Sequence, residues 1–259
     1  MNTNIEQMLP QPVAAASQGT AVEQSRAVAE VAAAVSVAKQ FPRDTNRAVA
    51  NMQQLCSRYA VAARAFYNVP NRGSGMSVHI ARELARIWGN VDAGVREMRR
   101  DDDAGVSEMQ AWAWDQESNV RITRSFIVPH LRSTRGGSKP LTDLGDINNN
   151  NQNQAAKAMR ECIFAMLPGW FKADAEQLLT QTLQNGDGKP IEQQREDAIA
   201  AFKGIGVTQQ QLEAFIGREF GLWQPRDIGE LVKAFQSITQ DGVPKTEFFT
   251  ETPVEVPGA

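Results

Sequence analysis

Apolar side chains recur at helical spacing through much of the N-terminal third of the chain. Val28, Val31 and Val35 follow one face of a helix that Pro42 ends, and Ser77 can cap a later helix that closes at Gly89-Asn90. Helices are therefore predicted over residues 21–40, 44–65 and 77–88.

After residue 90 the pattern changes to extended segments. Residues 91–100, 106–115 and 120–130 form three such stretches, separated by the turn-forming sequences DDDAG and QESN. Three strands with short connections predict an antiparallel meander. A further short strand is expected at residues 66–69, before a Gly-rich loop at 71–75.

A polar loop is predicted over residues 132–152, followed by helices over 151–167 and 173–184. Three more amphipathic segments, at residues 192–202, 208–216 and 226–239, form a separate helical group. The pattern thus predicts an α+β protein: helices packed on a three-stranded, or slightly larger, antiparallel β-meander, with a small all-helical C-terminal domain. The expected divisions are a disordered N-terminus (1–20), a main domain (21–190), the small helical domain (191–240) and a disordered tail (241–259).

Composition adds little to this picture. Hydrophobic residues make up 42% of the 259 residues and charged residues 22%, as in an ordinary globular protein. The net charge of −3 excludes a protein that is basic throughout, although a local basic face remains compatible with it. Cys56 and Cys162 are expected to be free core thiols, and no apolar run is long enough to span a bilayer. These features favour an intracellular, cytoplasmic protein.

Catalytic patterns are sparse. The two histidines, His79 and His130, lie in different elements, and neither metal-ligand spacing nor a P-loop is present. The acidic run at residues 101–103 is interpreted as a solvated hairpin turn, with a divalent-metal site as the alternative. No catalytic residue, metal ligand or cofactor is therefore predicted.

Basic residues, in contrast, fall in a pattern. Residues 119–142 carry five cations and no Asp or Glu, and helices on either side of the meander each align polar and basic residues on one face. Such an arrangement can follow a phosphate backbone without sequence preference. The predicted nucleic-acid-binding residues are Arg82, Arg86, Arg96, Arg121, Arg124, Arg132, Arg135, Lys139, Asn153, Lys157 and Arg160.

Two groups have a plain structural alternative. Arg82 and Arg86 can equally be surface charges paired with Glu83 or the acidic turn. Trp112 and Trp114 alternate with alanines and point to one face of their strand, where they can either stack on bases or belong to the core. Core is the favoured interpretation for both tryptophans.

Several separated blocks, in order, resemble the single-strand annealing proteins that phages encode for recombination, the group of the Red-beta, RecT and Erf types. The blocks are residues 75–90 (GMSVHIARELARIWGN), 111–115 (AWAWD), 128–132 (VPHLR) and 153–160 (NQAAKAMR). Where similar sequences have two adjacent basic residues in the last block, this chain has Lys157 followed by Ala158. Residues 206–213 and 223–231 resemble the small helical C-terminal module of many such proteins.

The resemblance implies binding of single-stranded DNA and annealing of complementary strands, without ATP, in a homo-oligomeric ring or filament within the bacterial host cytoplasm. Residues 21–190 would bind the strands and oligomerise, and residues 191–240 would contact a host single-strand-binding protein or a phage exonuclease. Two alternatives remain open. One is a metal-dependent nuclease that uses the acidic turn with Asp143 or Asp146, and the other is an adaptor or structural protein that does not bind DNA.

Overall fold

The chain divides after Pro42 into two compact units. The computed structural model describes residues 18–69, 73–134, 137–240 and 242–249. In the first unit it shows helix α1 (Gln18–Gln40), which the apolar spacing predicted. Val28 and Val31 on this helix are exposed. Residues 18–20, predicted as part of a disordered N-terminus (1–20), belong to this helix, and residues 1–17 lie outside the described residues.

The second unit begins at Arg43 and has the predicted α+β class. Its helices are α2 (Thr45–Cys56), α3 (Tyr59–Ala62), α4 (Val78–Trp88), α5 (Leu144–Met166), α6 (Gly169–Asn185), α7 (Ile191–Gly204), α8 (Gln209–Ile216) and α9 (Pro225–Thr239). Its strands are β1 (Phe66–Val69), β2 (Gly73–Met76), β3 (Val91–Asp101), β4 (Val106–Asp115), β5 (Val120–Pro129), β6 (Leu131–Thr134) and β7 (Gly137–Pro140).

The predicted meander is confirmed as a three-stranded antiparallel sheet in the order β3-β4-β5. The β4–β5 register runs without a break from Val106↔Pro129 to Asp115↔Val120, whereas β3 carries a bulge between Glu97 and Arg99. The two connecting turns contain Gly105 and Asn119, both with positive φ, a conformation that glycine and asparagine tolerate best.

One face of this sheet, the inner face, packs against helix α5. Met109, Ala111 and Ala113 project from β4 on this side and have no exposed surface. The small alanines let the helix approach the strand closely, so that the Cys162 Sγ lies 3.7 Å from the Ala111 carbonyl oxygen. Helix α4 extends the same core through residues such as Leu84.

Helix α5 begins earlier than its pattern predicted. The Asp143 carboxylate caps it by accepting a hydrogen bond of 3.0 Å from the Asp146 backbone N–H. Ile147 and Asn151, in the segment expected to be a loop, are buried on the core side of the helix. The Asn-rich run is therefore helical because a cap and a buried face outweigh its weak intrinsic helix propensity.

The two remaining strand pairs are hairpins. β1 pairs with β2, and β6 pairs with β7, both antiparallel. The sequence predicted β1, but it assigned most of the other three strands to a Gly-rich loop (71–75) and a polar loop (132–152). Their backbone groups instead pair with each other, although few of the side chains are hydrophobic enough to mark a strand.

Helices α7, α8 and α9 surround a second core that contains Phe202, Trp223 and Leu231. The Arg195 guanidinium donates to the Trp223 carbonyl from Nε, at 3.0 Å, and from Nη2, at 2.5 Å. Helix α9 also packs on β1, where the Asn68 backbone N–H donates to the Ser237 Oγ at 2.9 Å. This helical bundle therefore contacts the β1–β2 hairpin directly.

The predicted disordered tail is wrong for residues 242–249. Phe249 is buried in the bundle, with ring centroids 5.5 Å from both Phe202 and Phe215. A 3-10 turn, Lys245–Glu247, brings it there. The prolines suggested an open chain, but two adjacent phenylalanines supply enough apolar surface to order it. Residues 250–259 lie outside the described residues.

Among the described helices, none combines the length and the apolar character that crossing a bilayer requires.

Candidate nucleic-acid interface

A groove with a volume of about 540 Å³ lies between strand β5, the β6–β7 hairpin and helix α5. We call it the β5–α5 groove. Each of the three elements contributes to its walls: Arg124 and Phe126 from β5, Leu131 and Ser138 from the hairpin, and Gln154 and Lys157 from α5.

Arg124 reaches the groove because of strand alternation. It pairs across the sheet with Ala111, so its side chain projects from the inner face, the side that α5 covers. Strand β5 is an edge strand, and Arg124 at this margin of the sheet is exposed. A cation thus stands beside the helix instead of being buried under it.

Lys157 reaches the groove from the opposite wall. Asn150, Gln154, Lys157 and Glu161 follow one another at helical spacing, and all four line the groove. The Lys157 Nζ donates to the Gln154 Oε1 at 3.4 Å. Asn150 adds a link between the walls, since its Nδ2 donates to the Pro129 carbonyl oxygen at 3.1 Å.

The charge of the groove is positive. Its acidic residue, Glu161, accepts hydrogen bonds from Arg160, with Nη2–Oε1 at 2.8 Å and Nε–Oε1 at 3.1 Å. Within the described residues, neither Arg124 nor Lys157 has a carboxylate in ion-pairing distance. Two cations therefore face the same groove, and neither forms an ion pair within the described residues.

The β6–β7 hairpin places its own cations on its other side. Arg132 and Lys139 are cross-strand partners, so they share one face, whereas Leu131 and Ser138 point into the groove. Arg132 pairs with Asp146 at 3.5 Å, and Lys139 is exposed. The predicted residue Arg135 lies outside the described residues.

Arg96 and Arg121 lie on the outer face of the sheet, opposite the groove. Their cross-strand partners are Gln110 and Trp114, which alternate with the buried inner-face residues of β4. The predicted arginines therefore do not all face the β5–α5 groove, because a one-residue shift along a strand moves a side chain to the other face.

The outer face is balanced in charge. Along the register it carries three arginines and three carboxylates, namely Arg96, Arg99, Arg121, Asp92, Asp101 and Glu108. Arg99 pairs with Asp101 at 2.8 Å. A polyanion therefore gains less from this face than from the β5–α5 groove.

The predicted tryptophans are held within this outer face. Trp114 is buried, and its Nε1 donates to the Asn119 Oδ1 at 3.1 Å. Trp112 is half-buried, and its Nε1 donates to the Asp92 Oδ2 at 2.7 Å. Trp114 thus fits the favoured core interpretation. Trp112 lies flat on the sheet against Gly94, and the Arg96 guanidinium carbon lies 5.6 Å from the centroid of the Trp112 ring.

The other predicted residues are scattered. Arg86 forms an exposed ion pair with Glu83, the alternative that its sequence left open, and Arg82 is exposed on the same helix. Asn153 is exposed beside Lys157 on α5. Arg160 is largely buried, with its guanidinium 4.4 Å from the Tyr67 ring centroid, and so it fastens α5 to the β1–β2 hairpin.

The sequence missed several residues of the groove. Phe126, Ser138 and Gln154 line it but were not predicted. Gln154 lies within the helix predicted over residues 151–167, and its spacing of three residues from Lys157 places the two on one helix face. Ser138 had no comparable signal, since its position depends on the hairpin.

The acidic residues of the alternative metal site are engaged in structural roles. Asp102 pairs with Arg100 at 3.0 Å, and Asp101 accepts a bond from the Ala104 backbone N–H at 2.9 Å. Asp143 caps α5, and Asp146 pairs with Arg132. Within the described ranges, no group of three or more His, Cys, Asp or Glu side chains could hold a metal ion.

Comparison of the chain with protein-family models, with curated proteins and with solved structures finds no match in any of the three. The function is therefore inferred from the residues and their geometry.

Proposed function

We propose that this chain binds single-stranded DNA in the β5–α5 groove. Arg124 and Lys157 contact the phosphate backbone from opposite walls. Phe126 and Leu131 offer apolar surface to the bases, and the amides of Asn150 and Gln154 supply hydrogen bonds that suit any base.

The observation that carries this proposal is that Arg124 and Lys157 face one groove without an ion-pair partner among the described residues. When a cation contacts a phosphate, release of the phosphate's counterion makes the binding free energy more favourable. An arginine that is paired with a carboxylate must first break that ion pair, which reduces the gain. Of the predicted residues in the described part of the chain, two line the groove, namely Arg124 and Lys157.

We further propose that assemblies of several subunits anneal complementary strands without ATP, as the phage recombination proteins that the sequence resembles do. One subunit contributes two free cations to its groove, which is few for tight binding. Stacked subunits would join these short sites into a continuous one. On this proposal the helical bundle of α7–α9 recruits a partner protein in the host cytoplasm.

The binding step is tested with the double variant Arg124→Ala/Lys157→Ala and a labelled oligonucleotide at several salt concentrations. Loss of two phosphate contacts should weaken affinity at low salt by roughly tenfold or more and reduce the salt slope by about 1.4. The matched control is Arg96→Ala/Arg121→Ala, which removes the same charge from the outer face. It should leave the slope close to that of the unmodified chain.

Equal effects of the two double variants would sink the groove assignment. The annealing step is tested separately by mixing two complementary oligonucleotides, labelled as donor and acceptor, with the protein in the absence of nucleotide. Faster energy transfer than in the protein-free reaction is expected, together with rings or filaments in electron micrographs. Tight binding without acceleration would contradict annealing and leave strand binding intact.

A further inference from the structure

Three buried polar side chains meet where the sheet, the β6–β7 hairpin and helix α5 join. Ser107 and Asn151 have no exposed surface, and His130 is 5% exposed. Polar groups this deeply buried are costly unless they bond to each other. None of the three lines the β5–α5 groove, so their bonds need a separate explanation.

Their hydrogen bonds meet at the Ser107 hydroxyl. The Asn151 Nδ2 donates to the Ser107 Oγ at 2.9 Å, and the Ser107 Oγ lies 2.9 Å from the His130 Nε2. The Ser107 Oγ also lies 3.4 Å from the Glu97 Oε1, a second acceptor for its single hydroxyl proton. The other imidazole nitrogen, His130 Nδ1, lies 4.0 Å from the Asp102 Oδ1.

Backbone hydrogen bonds of His130 link the same point to the β3–β4 turn and to the residue that follows β7. Its N–H donates to the Gly105 carbonyl oxygen at 2.7 Å, and its carbonyl oxygen accepts from the Leu141 N–H at 2.8 Å. His130 and Leu141 directly flank the β6–β7 hairpin. The chain Asn151–Ser107–His130 therefore connects the base of the hairpin to helix α5 through the central strand.

We propose that Ser107, His130 and Asn151 are positioning residues that fix the β6–β7 hairpin relative to α5 and so set the width of the β5–α5 groove. The hairpin supplies Leu131 and Ser138 to one wall, and α5 supplies Gln154 and Lys157 to the other. The consequence for DNA affinity rests on the proposed function, whereas the geometric effect does not.

The geometry is tested with a spin label on each wall, at Ser138→Cys and Gln154→Cys. Both positions are exposed. The native thiols do not compete, because Cys56 and Cys162 are buried, and burial raises the pKa of the Cys56 thiol to about 11 and that of Cys162 above its usual value. Pulsed electron resonance then measures the distance distribution across the groove without DNA.

A single narrow distribution is expected in the otherwise unmodified chain. Ser107→Ala removes the central hydroxyl and should broaden or shift the distribution, whereas Ser107→Thr keeps the hydroxyl and should restore it. Gln152→Ala, an exposed change on the same helix, is the control. If Ser107→Ala does not fold, Asn151→Ala decides. An unchanged distribution in the folded variant overturns the proposal.

The second readout is affinity for an unstructured oligonucleotide. Ser107→Ala should raise Kd roughly tenfold, which corresponds to a coupling of about 1.4 kcal/mol between the network and the groove. If the unmodified chain binds no single-stranded DNA, the proposed function is wrong. The positioning role is still tested by the distance measurement, which needs no DNA. A changed distance with unchanged affinity overturns the link between groove width and binding.

Discussion

The Arg43 guanidinium forms a two-pronged ion pair with the Asp115 carboxylate, with Nη2–Oδ1 at 2.6 Å and Nη1–Oδ2 at 2.8 Å. Both side chains are largely buried, and the Arg43 guanidinium also lies 4.5 Å from the Trp88 ring centroid. The pair joins the segment before α2 to the end of β4. It closes the end of the sheet opposite the Ser107–His130 contact.

This pair makes stability depend on pH in the acid range. Burial raises the pKa of Asp115, but hydrogen bonds from Arg43 and Ser118 outweigh it and lower the pKa to about 2. Because the folded-state pKa lies below the unfolded value, the stabilisation is full above about pH 4 and is lost as pH falls towards about 2. Asp115→Asn should lower the free energy of unfolding at neutral pH by roughly 2 kcal/mol.

Urea unfolding of both proteins at a series of pH values measures the effect. The gap between them should shrink as the pH falls from about 4 to about 2. Glu83→Gln is the control, because its partner Arg86 is exposed and such surface pairs contribute about 0.5 kcal/mol. A gap that stays constant across this range would contradict the linkage.

Gly94 and Trp112 form a second sensitive contact. A Cβ added at Gly94 would lie 2.6 Å from Cζ2 of the Trp112 ring, so Gly94→Ala must displace the indole. We expect a loss of about 2 kcal/mol in unfolding free energy. In Gly94→Ala/Trp112→Ala the loss should be smaller than the sum of the two single losses, because the clash is gone. Gly221→Ala, where nothing lies within 4 Å of the added carbon, is the neutral control.

The sheet and the large helices could be predicted because each rests on a local signal. The strands of the meander are marked by turn residues at Gly105 and Asn119, and α4 has a serine cap and a glycine stop. The start of α5 and the β6–β7 hairpin could not be predicted in this way. The fold of these two segments depends on contacts with residues that are distant in the sequence, such as the hydrogen bond between Asn151 and Ser107.

The sequence pointed to two residues of the candidate site but not to its layout. The acid-free stretch pointed to Arg124 and the helix periodicity pointed to Lys157, and both line the groove. Arg121 was grouped with Arg124 because they are close in sequence, yet the odd spacing of three residues puts them on opposite faces of the sheet. Strand alternation places Arg121 and Arg124 on opposite faces, and the buried face of the sheet decides which of them faces α5.

Substitution of Phe249 tests whether residues 242–249 stabilise the helical bundle. Its ring contacts Phe202 and Phe215 and is 4% exposed. Phe249→Ala should therefore destabilise the bundle by about 3 kcal/mol and lower the melting temperature measured by circular dichroism. Leu222→Ala is the control, because that side chain is 65% exposed. Equal, small effects of both changes would show that residues 242–249 do not stabilise the bundle.

Ala158 offers a gain-of-function test of the groove. It lines the groove next to Lys157. Ala158→Lys should add a phosphate contact, tighten binding of single-stranded DNA at low salt and steepen the salt slope by about 0.7. Gln152→Lys adds the same charge to an exposed site on the same helix that does not line the groove. Fluorescence anisotropy over a salt series compares the two variants. If Gln152→Lys strengthens binding as much as Ala158→Lys, then net charge and not the groove governs affinity.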